Sequence, residues 1–339
     1  MSSFPDSSRD DENPEHAEAN EPGFDGMTPT ENVFATTPTD PADYPHESSL
    51  VSYADQPVPG EPAFIPRLVA PPRFPNFTDV GILLILLFFG WIGGVALAGI
   101  ALHFHLFGVR DIKAASTDVH YSLGAQAAWY LISFGLCALM FPAIWHRRFF
   151  PGVEWRARVA LHSGGRLISA AFACFALAIV DSLAMPGPAD TPIDEVFRKP
   201  GAAWLLFAFG VTLAPFFEEM IYRGFLLPAF CTAWDWSAER LQNREAPWPD
   251  AEGKIRWSLP AMFVGSLLTS IPFALMHAEQ TGYSLGPFLL LVCVSLVLCW
   301  VRLSTRSLAA STLVHSSYNL LLFSLMLAGT GGFKHLDKM

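Results

Sequence analysis

Residues 80–109 read VGILLILLFFGWIGGVALAGIALHFHLFGV, with no Asp, Glu, Lys or Arg at any position. A bilayer core about 30 Å thick is crossed by a helix of about 20 apolar residues, so this run is more than long enough. Surface helices of soluble proteins instead carry a polar face that returns about every 3.6 residues; none is visible here. Outward from this run, others of the same kind lie near 122–145, 166–185, 203–233, 259–277, 286–301 and 307–328, and the first span itself reads as 80–106. The 52% hydrophobic content would suit a large soluble domain, but its concentration into spans decides for a membrane. The expected fold is all-α, a polytopic transmembrane helix bundle of about seven spans behind a disordered N-terminal tail.

The net charge of −10 divides unevenly. Residues 1–61 hold fourteen of the 31 acidic residues and one basic residue, Arg9, which gives −13; the rest of the chain carries +3. Rich in Pro, Ser and Asp, that segment has too little apolar surface to offset the entropy of ordering it. Residues 1–75 are therefore expected to be an acidic, Pro-rich tail, residues 76–200 to hold the first three spans, and residues 201–330 to form a second membrane domain. The N-terminus is acidic and lacks an apolar leader segment, so no cleavable signal is expected and the first span is expected to target the chain to the membrane.

Orientation is read from basic residues in the short loops. Arg147, Arg148, Arg156, Arg158 and Arg166 follow the second span; placing them inside puts thirteen basic residues inside and six outside. An integral multi-pass protein of the plasma (inner) membrane is expected, with its N-terminus in the cytoplasm. The five cysteines lie in apolar stretches without paired-ligand spacing and read as small core residues. Asn76-Phe77-Thr78 reads as a chance glycosylation match. No concentrated basic-aromatic surface points to nucleic acid.

Against this apolar background, APFFEEMIYRGFLLPAF (214–230) places Glu218, Glu219 and Arg223 inside a span. Glu219 and Arg223 stand four apart with the acid first, on one helix face, so a structural ion pair explains both. Glu218 points about 100° away around the helix and is left over. A charge at the bilayer centre costs about 2.5–3.5 kcal/mol on insertion scales, so an unpaired carboxylate there is a functional candidate. His277 ends the fifth span in FALMH (273–277), and His315 and Asn319 share one face of the seventh in HSSYN (315–319). Polar side chains can simply tie helices together. One spare carboxylate, two imidazoles and an amide also suit peptide hydrolysis. A carboxylate with a neighbouring imidazole deprotonates water, and further donors hold the oxyanion. The same groups are usual zinc ligands.

The ordered set Glu218-Glu219-Met-Ile-Tyr-Arg223-Gly224, Phe273-Ala-Leu-Met-His277 and His315-Ser-Ser-Tyr-Asn319 resembles the CAAX prenyl protease type II and bacteriocin-processing (CPBP, Abi) family of intramembrane proteases. RLSTRSL (302–308) is similar to the family's lead-in to the last motif, and the similarity spans about residues 203–325. The resemblance makes residues 201–330 a CAAX-protease-like catalytic domain. It implies Glu218 as the water-activating base assisted by His277, with His315 and Asn319 as oxyanion donors. Glu219 and Arg223 become the supporting ion pair. It implies a membrane-associated peptide or protein as substrate, in contact with the lipid bilayer. No cofactor is favoured; zinc, held by Glu218, His277 and His315, is the alternative. Members that process prenylated proteins work from the cytosolic side, whereas the loop charges place His277 near the outer end. Two other readings stand beside the protease: a non-catalytic scaffold or immunity protein of the same fold, and a proton-coupled transporter.

Overall fold

In hydrocarbon a backbone N–H or carbonyl has no water to bond, so an apolar run must satisfy its own backbone, and a helix does so within one segment. The computed structural model describes residues 73–185, 191–199, 201–248 and 256–334. Apart from residues 73–75, the tail expected over 1–75 lies outside the described residues. Every element among the described residues is helical, and seven helical stretches are long and apolar enough to cross a membrane. The protein is an integral multi-pass membrane protein.

The crossing helices are α1 (Phe77–His103), α3 (Val119–Trp145), α6 (Gly164–Ala184), a broken fourth stretch from Ala202 to Leu241, α11 (Leu259–Met276), α12 (Leu285–Thr305) and α13 (Leu308–Gly329). Short helices fill the connections: α2 (Ile112–Thr117) precedes α3, α4 (Phe149–Gly152) and α5 (Ala157–His162) precede α6, and α7 (Pro192–Phe197) precedes the fourth stretch.

Asn76 caps α1, accepting from the Thr78 and Asp79 amides while the Asp79 carboxylate accepts from the Asn76 amide. Local capping thus explains the Asn-Phe-Thr triplet. The other Asp79 oxygen accepts from Trp145 Nε1 at 2.9 Å, tying the start of α1 to the end of α3. Between those ends the helices run antiparallel in close contact. A Cβ on Gly94 would lie 2.8 Å from the Ala125 carbonyl oxygen, so only glycine fits there.

The fourth stretch has 40 residues, which as one straight helix would measure about 60 Å, twice the bilayer core. It breaks instead. Pro215 has no N–H for the carbonyl four residues earlier, and at Thr212 the backbone leaves helical geometry, with φ −118° and ψ −78°. α8 (Ala202–Val211) stops there, and α9 (Leu213–Glu219) begins on the other side of Thr212. The next turn, Met220–Leu226, is π-helical before α10 (Leu227–Leu241) resumes α geometry. Pro228 accounts for the widening: it cannot donate to Gly224, and the Leu227 amide reaches back five residues to the Tyr222 carbonyl.

This irregular segment lies between two packed groups. Phe217 and Phe225 join an aromatic core with Tyr130, Phe141, Trp145 and Phe149. Leu167, Cys174, Val294, Leu298 and Val314 pack α6, α12 and α13 together. Four cysteines are buried as small core residues, while Cys293 is exposed. At one end, α7 covers the bundle: Phe197 packs with Val119 and Leu206, and the Ile193 amide donates to the Gln280 carbonyl.

Two glycine substitutions in α1 test the tight α1–α3 contact. Gly94→Ala is expected to destabilise by about 1–3 kcal/mol, the usual cost of overpacking. Gly99→Ala, where a Cβ meets nothing within 4 Å, is expected to leave the melting temperature unchanged or higher. Thermal unfolding of the purified protein in detergent, followed by tryptophan fluorescence, reads both.

Candidate functional site

Glu218 and Glu219 end α9, and as helix neighbours they diverge. Glu219 turns inward and is fully buried, as is Arg223. Arg223 Nη1 donates to Glu219 Oε1 at 2.8 Å, and Nη2 donates to the Ser295 hydroxyl at 2.7 Å and the Ser295 carbonyl at 3.1 Å. The guanidinium also stacks 4.6 Å from the Phe273 ring centroid. Through Arg223 the fourth stretch is fastened to α12 and α11. Removing either partner would strand a charge without water, the expensive case for buried pairs.

Glu219 Oε1 also lies 3.1 Å from His315 Nδ1. A carboxylate paired with a guanidinium accepts only, so Nδ1 carries the proton in this contact. That orients the His315 ring and turns Nε2 away from Glu219. His277, just past the end of α11, is held in a similar way. Its Nδ1 is 2.9 Å from the Phe273 carbonyl, which can only accept, so Nδ1 is again the donor and Nε2 is left pointing elsewhere. Phe273 touches both imidazoles, with ring centroids 5.0 Å from His277 and 5.8 Å from His315.

Both free Nε2 atoms face Glu218. Each lies 3.8 Å from Glu218 Oε2, too long for a direct hydrogen bond and suited to a bridging water. The side chains of Glu218 and His277 are 18% and 21% exposed, so neither is sealed inside the protein. They line a cavity of about 500 Å³ together with His315 and Asn319, within the range of small-molecule pockets. Much of its remaining wall is apolar, from Leu123, Ile193, Val196, Phe209, Leu322 and Phe323. Glu279 and Gln280 also line it.

All four residues singled out as reactive therefore face one cavity, and Glu219 and Arg223 stand behind it. The break at Thr212 makes this geometry available by restarting the helix so that Glu218 meets His277 at the end of α11. Asn319 also braces that break: its Nδ2 donates to the Gly210 carbonyl at 2.7 Å, two residues before Thr212. The second hydrogen on that nitrogen is not used in this bond.

Sequence reasoning missed part of the wall. Gln126, whose Nε2 donates to the Tyr130 hydroxyl at 3.0 Å, lines the cavity; a lone amide in an apolar run was its only signal. The α7 wall had a readable one, since Thr191 and Asp194 form a capping box around Pro192. Among the described residues, no group of three or more His, Cys, Asp and Glu side chains converges at metal-ligating distance. The donor types at Glu218, His277 and His315 are nonetheless those of a His₂Glu zinc site, with both Nδ1 atoms hydrogen-bonded behind the nitrogens that would ligate.

Residues 200–321 match the family model described as Type II CAAX prenyl endopeptidase Rce1-like. The match runs from the start of α8 to residue 321, about two thirds of the way along α13, and contains all six residues above, leaving α1 to α7 outside it. No curated protein matches the chain, and no solved structure does.

The two glutamates are expected to differ in stability. Glu219→Gln leaves the Arg223 guanidinium buried without its counter-ion and should cost about 3–5 kcal/mol. Glu218→Gln, at the cavity surface, should change stability by less than about 0.5 kcal/mol. Melting temperatures of the two purified variants against wild type check this.

Proposed function

We propose that residues 200–321, which match the Rce1-like type II CAAX prenyl endopeptidase family model, form an intramembrane endopeptidase domain that hydrolyses a peptide bond of a membrane-associated protein or peptide. The observation that carries the proposal is the approach of two oriented Nε2 atoms to one carboxylate oxygen, 3.8 Å from each, at the wall of one cavity.

Water between Glu218 and His277 donates one hydrogen to Oε2 and one to Nε2, leaving its oxygen lone pairs free for a carbonyl carbon. As the new C–O bond forms, Glu218 takes the proton; general-base help of this kind contributes about 10²–10⁴-fold. The carbonyl oxygen becomes an oxyanion facing His315 and the unused Asn319 N–H. With His315 Nδ1–H committed to Glu219, donation from Nε2 requires the imidazolium, whose charge the Glu219 carboxylate offsets. Collapse breaks the C–N bond, Glu218 passes its proton to the leaving nitrogen, and a carboxyl and an amine terminus result. Glu218, His277 and His315 are the residues that would hold zinc, which when bound would polarise the carbonyl and acidify a water.

The proposal extends to placement in the plasma (inner) membrane with a cytoplasmic N-terminus, supported by the loop-charge asymmetry. It extends also to residues 201–330 as the catalytic unit and to residues 76–200 as a three-span wall against it. In that orientation the α7 side of the cavity faces outward.

Comparative proteomics of membranes containing wild type or Glu218→Gln tests the activity and finds the substrate together. A precursor should accumulate uncleaved with Glu218→Gln; identical profiles at equal protein abundance would remove Glu218 from the chemistry. With that substrate in hand, cleavage by the purified protein is expected to survive chelators. Loss of activity restored by zinc would assign the metal version instead.

A further inference from the structure

We propose that Glu154, acting through Arg302, is a positioning residue of the site. It sets the depth of α13, and so of His315, against the segment that carries Glu219 and Arg223. The inference rests on the endopeptidase reading above for its consequence in catalysis, and on geometry for the linkage itself.

The linkage starts from a backbone defect. In the π turn the Leu227 amide is taken by the Tyr222 carbonyl. The next amide, which would serve the Arg223 carbonyl in that register, belongs to Pro228 and does not exist. A carbonyl left unbonded in the interior costs about 1–3 kcal/mol. Arg302 supplies the donor: its Nε lies 3.3 Å from the Arg223 carbonyl oxygen. The Arg302 side chain is only 3% exposed, so its own charge needs a partner. Glu154 provides one, with Oε2 accepting from Nη1 at 2.8 Å, while Oε1 accepts from Arg156 at 3.1 Å.

The backbone of Glu154 holds a second element. Its carbonyl accepts from the amide of Leu308, the first residue of α13, at 3.0 Å. Its φ of +56° is the left-handed region that non-glycine residues seldom occupy, and the hydrogen bonds on both sides hold it there. Ser307, the cap of α13, donates to the Arg156 carbonyl at 2.9 Å, two residues along the same loop. One residue thus fastens the π segment by its side chain and the head of α13 by its backbone. His315 is seven residues, about two turns, further along α13.

The contact that depends on this spacing is His315 Nδ1 with Glu219 Oε1 at 3.1 Å. A slide of α13 by about 1 Å would lengthen it beyond hydrogen-bond range and swing Nε2 away from Glu218; misplacement on that scale costs on the order of 10²-fold in rate. Neither Glu154 nor Arg302 lines the cavity. Their effect passes entirely through the position of other groups.

The test uses full-length protein in liposomes, comparing wild type, Glu154→Gln, Glu154→Asp and Arg302→Lys. Glu154→Gln keeps the backbone carbonyl and side-chain volume and removes the charge; Arg302→Lys keeps the charge and removes the Nε donor. For both, kcat per folded molecule should fall at least about tenfold with KM within about twofold, and Glu154→Asp should recover part of the loss. A second readout needs no substrate: the His315 Nδ1 proton, observed by NMR in protein labelled with nitrogen-15 histidine, should shift and exchange faster in Glu154→Gln and Arg302→Lys. If Glu154→Gln does not accumulate, Arg302→Lys carries the comparison. A lowered melting temperature with unchanged kcat and an unchanged Nδ1 proton would reduce the linkage to a structural tie and overturn the proposal. Failure of the endopeptidase reading is a separate result, in which wild type cleaves nothing while the Nδ1 proton still responds to these substitutions.

Discussion

A guanidinium and a carboxylate, both without solvent exposure, organise the membrane core of this protein. Arg223 bonds to Glu219 one turn back, to Ser295 on α12, and lies over Phe273 on α11, while Glu219 also receives His315 from α13. Four segments of chain meet on one pair of charges. Two ions removed from water carry a desolvation cost of several kcal/mol each, and the attraction between them offsets it only with good geometry and further hydrogen bonds. The helices around the pair are therefore held to one arrangement more tightly than apolar packing alone would hold them.

Because Arg223 is occupied by Glu219, the neighbouring Glu218 has no guanidinium of its own. It faces the cavity, where two imidazoles approach it with their Nδ1 atoms already committed, His277 to a carbonyl and His315 to Glu219. Commitment of Nδ1 fixes which nitrogen of each ring meets Glu218. A carboxylate and two ring nitrogens, neither nitrogen within direct bonding distance of the carboxylate, leave space for a water rather than closing on themselves. The proposed hydrolysis uses that space, and the apolar wall under α7 gives a bound chain a surface to lie against.

The spans were legible in the sequence because hydrocarbon permits a run such as 80–109 little besides helix. The break in the fourth stretch has its sequence correlate in Pro215. The ion pair was legible through its four-residue spacing, and the odd glutamate through its lack of a second cation. The π turn was not legible. Pro228 near the start of a helix turn is ordinary, and only the pairing of Leu227 with Tyr222 shows that a whole turn has widened around it. Nor was the Asn319 bond to Gly210, since the carbonyl it serves sits beside a break whose position depends on tertiary packing. Glu154 gave no signal at all. One acid in a basic loop reads as surface, and its importance comes from contacts with Arg302 and Leu308, which lie far along the chain on other helices.

The most direct measurement is an experimental structure with a peptide ketone bound, since a hydrated ketone carries two oxygens on one tetrahedral carbon, as the intermediate of water attack does. If Glu218 and His277 direct the water, one oxygen should lie within about 2.6–3.2 Å of Glu218 and of His277 Nε2. The other should face His315 and Asn319. A ketone carbon bonded covalently to a side chain, or a diol bound with both oxygens away from Glu218, would contradict the assignment of Glu218 as the base.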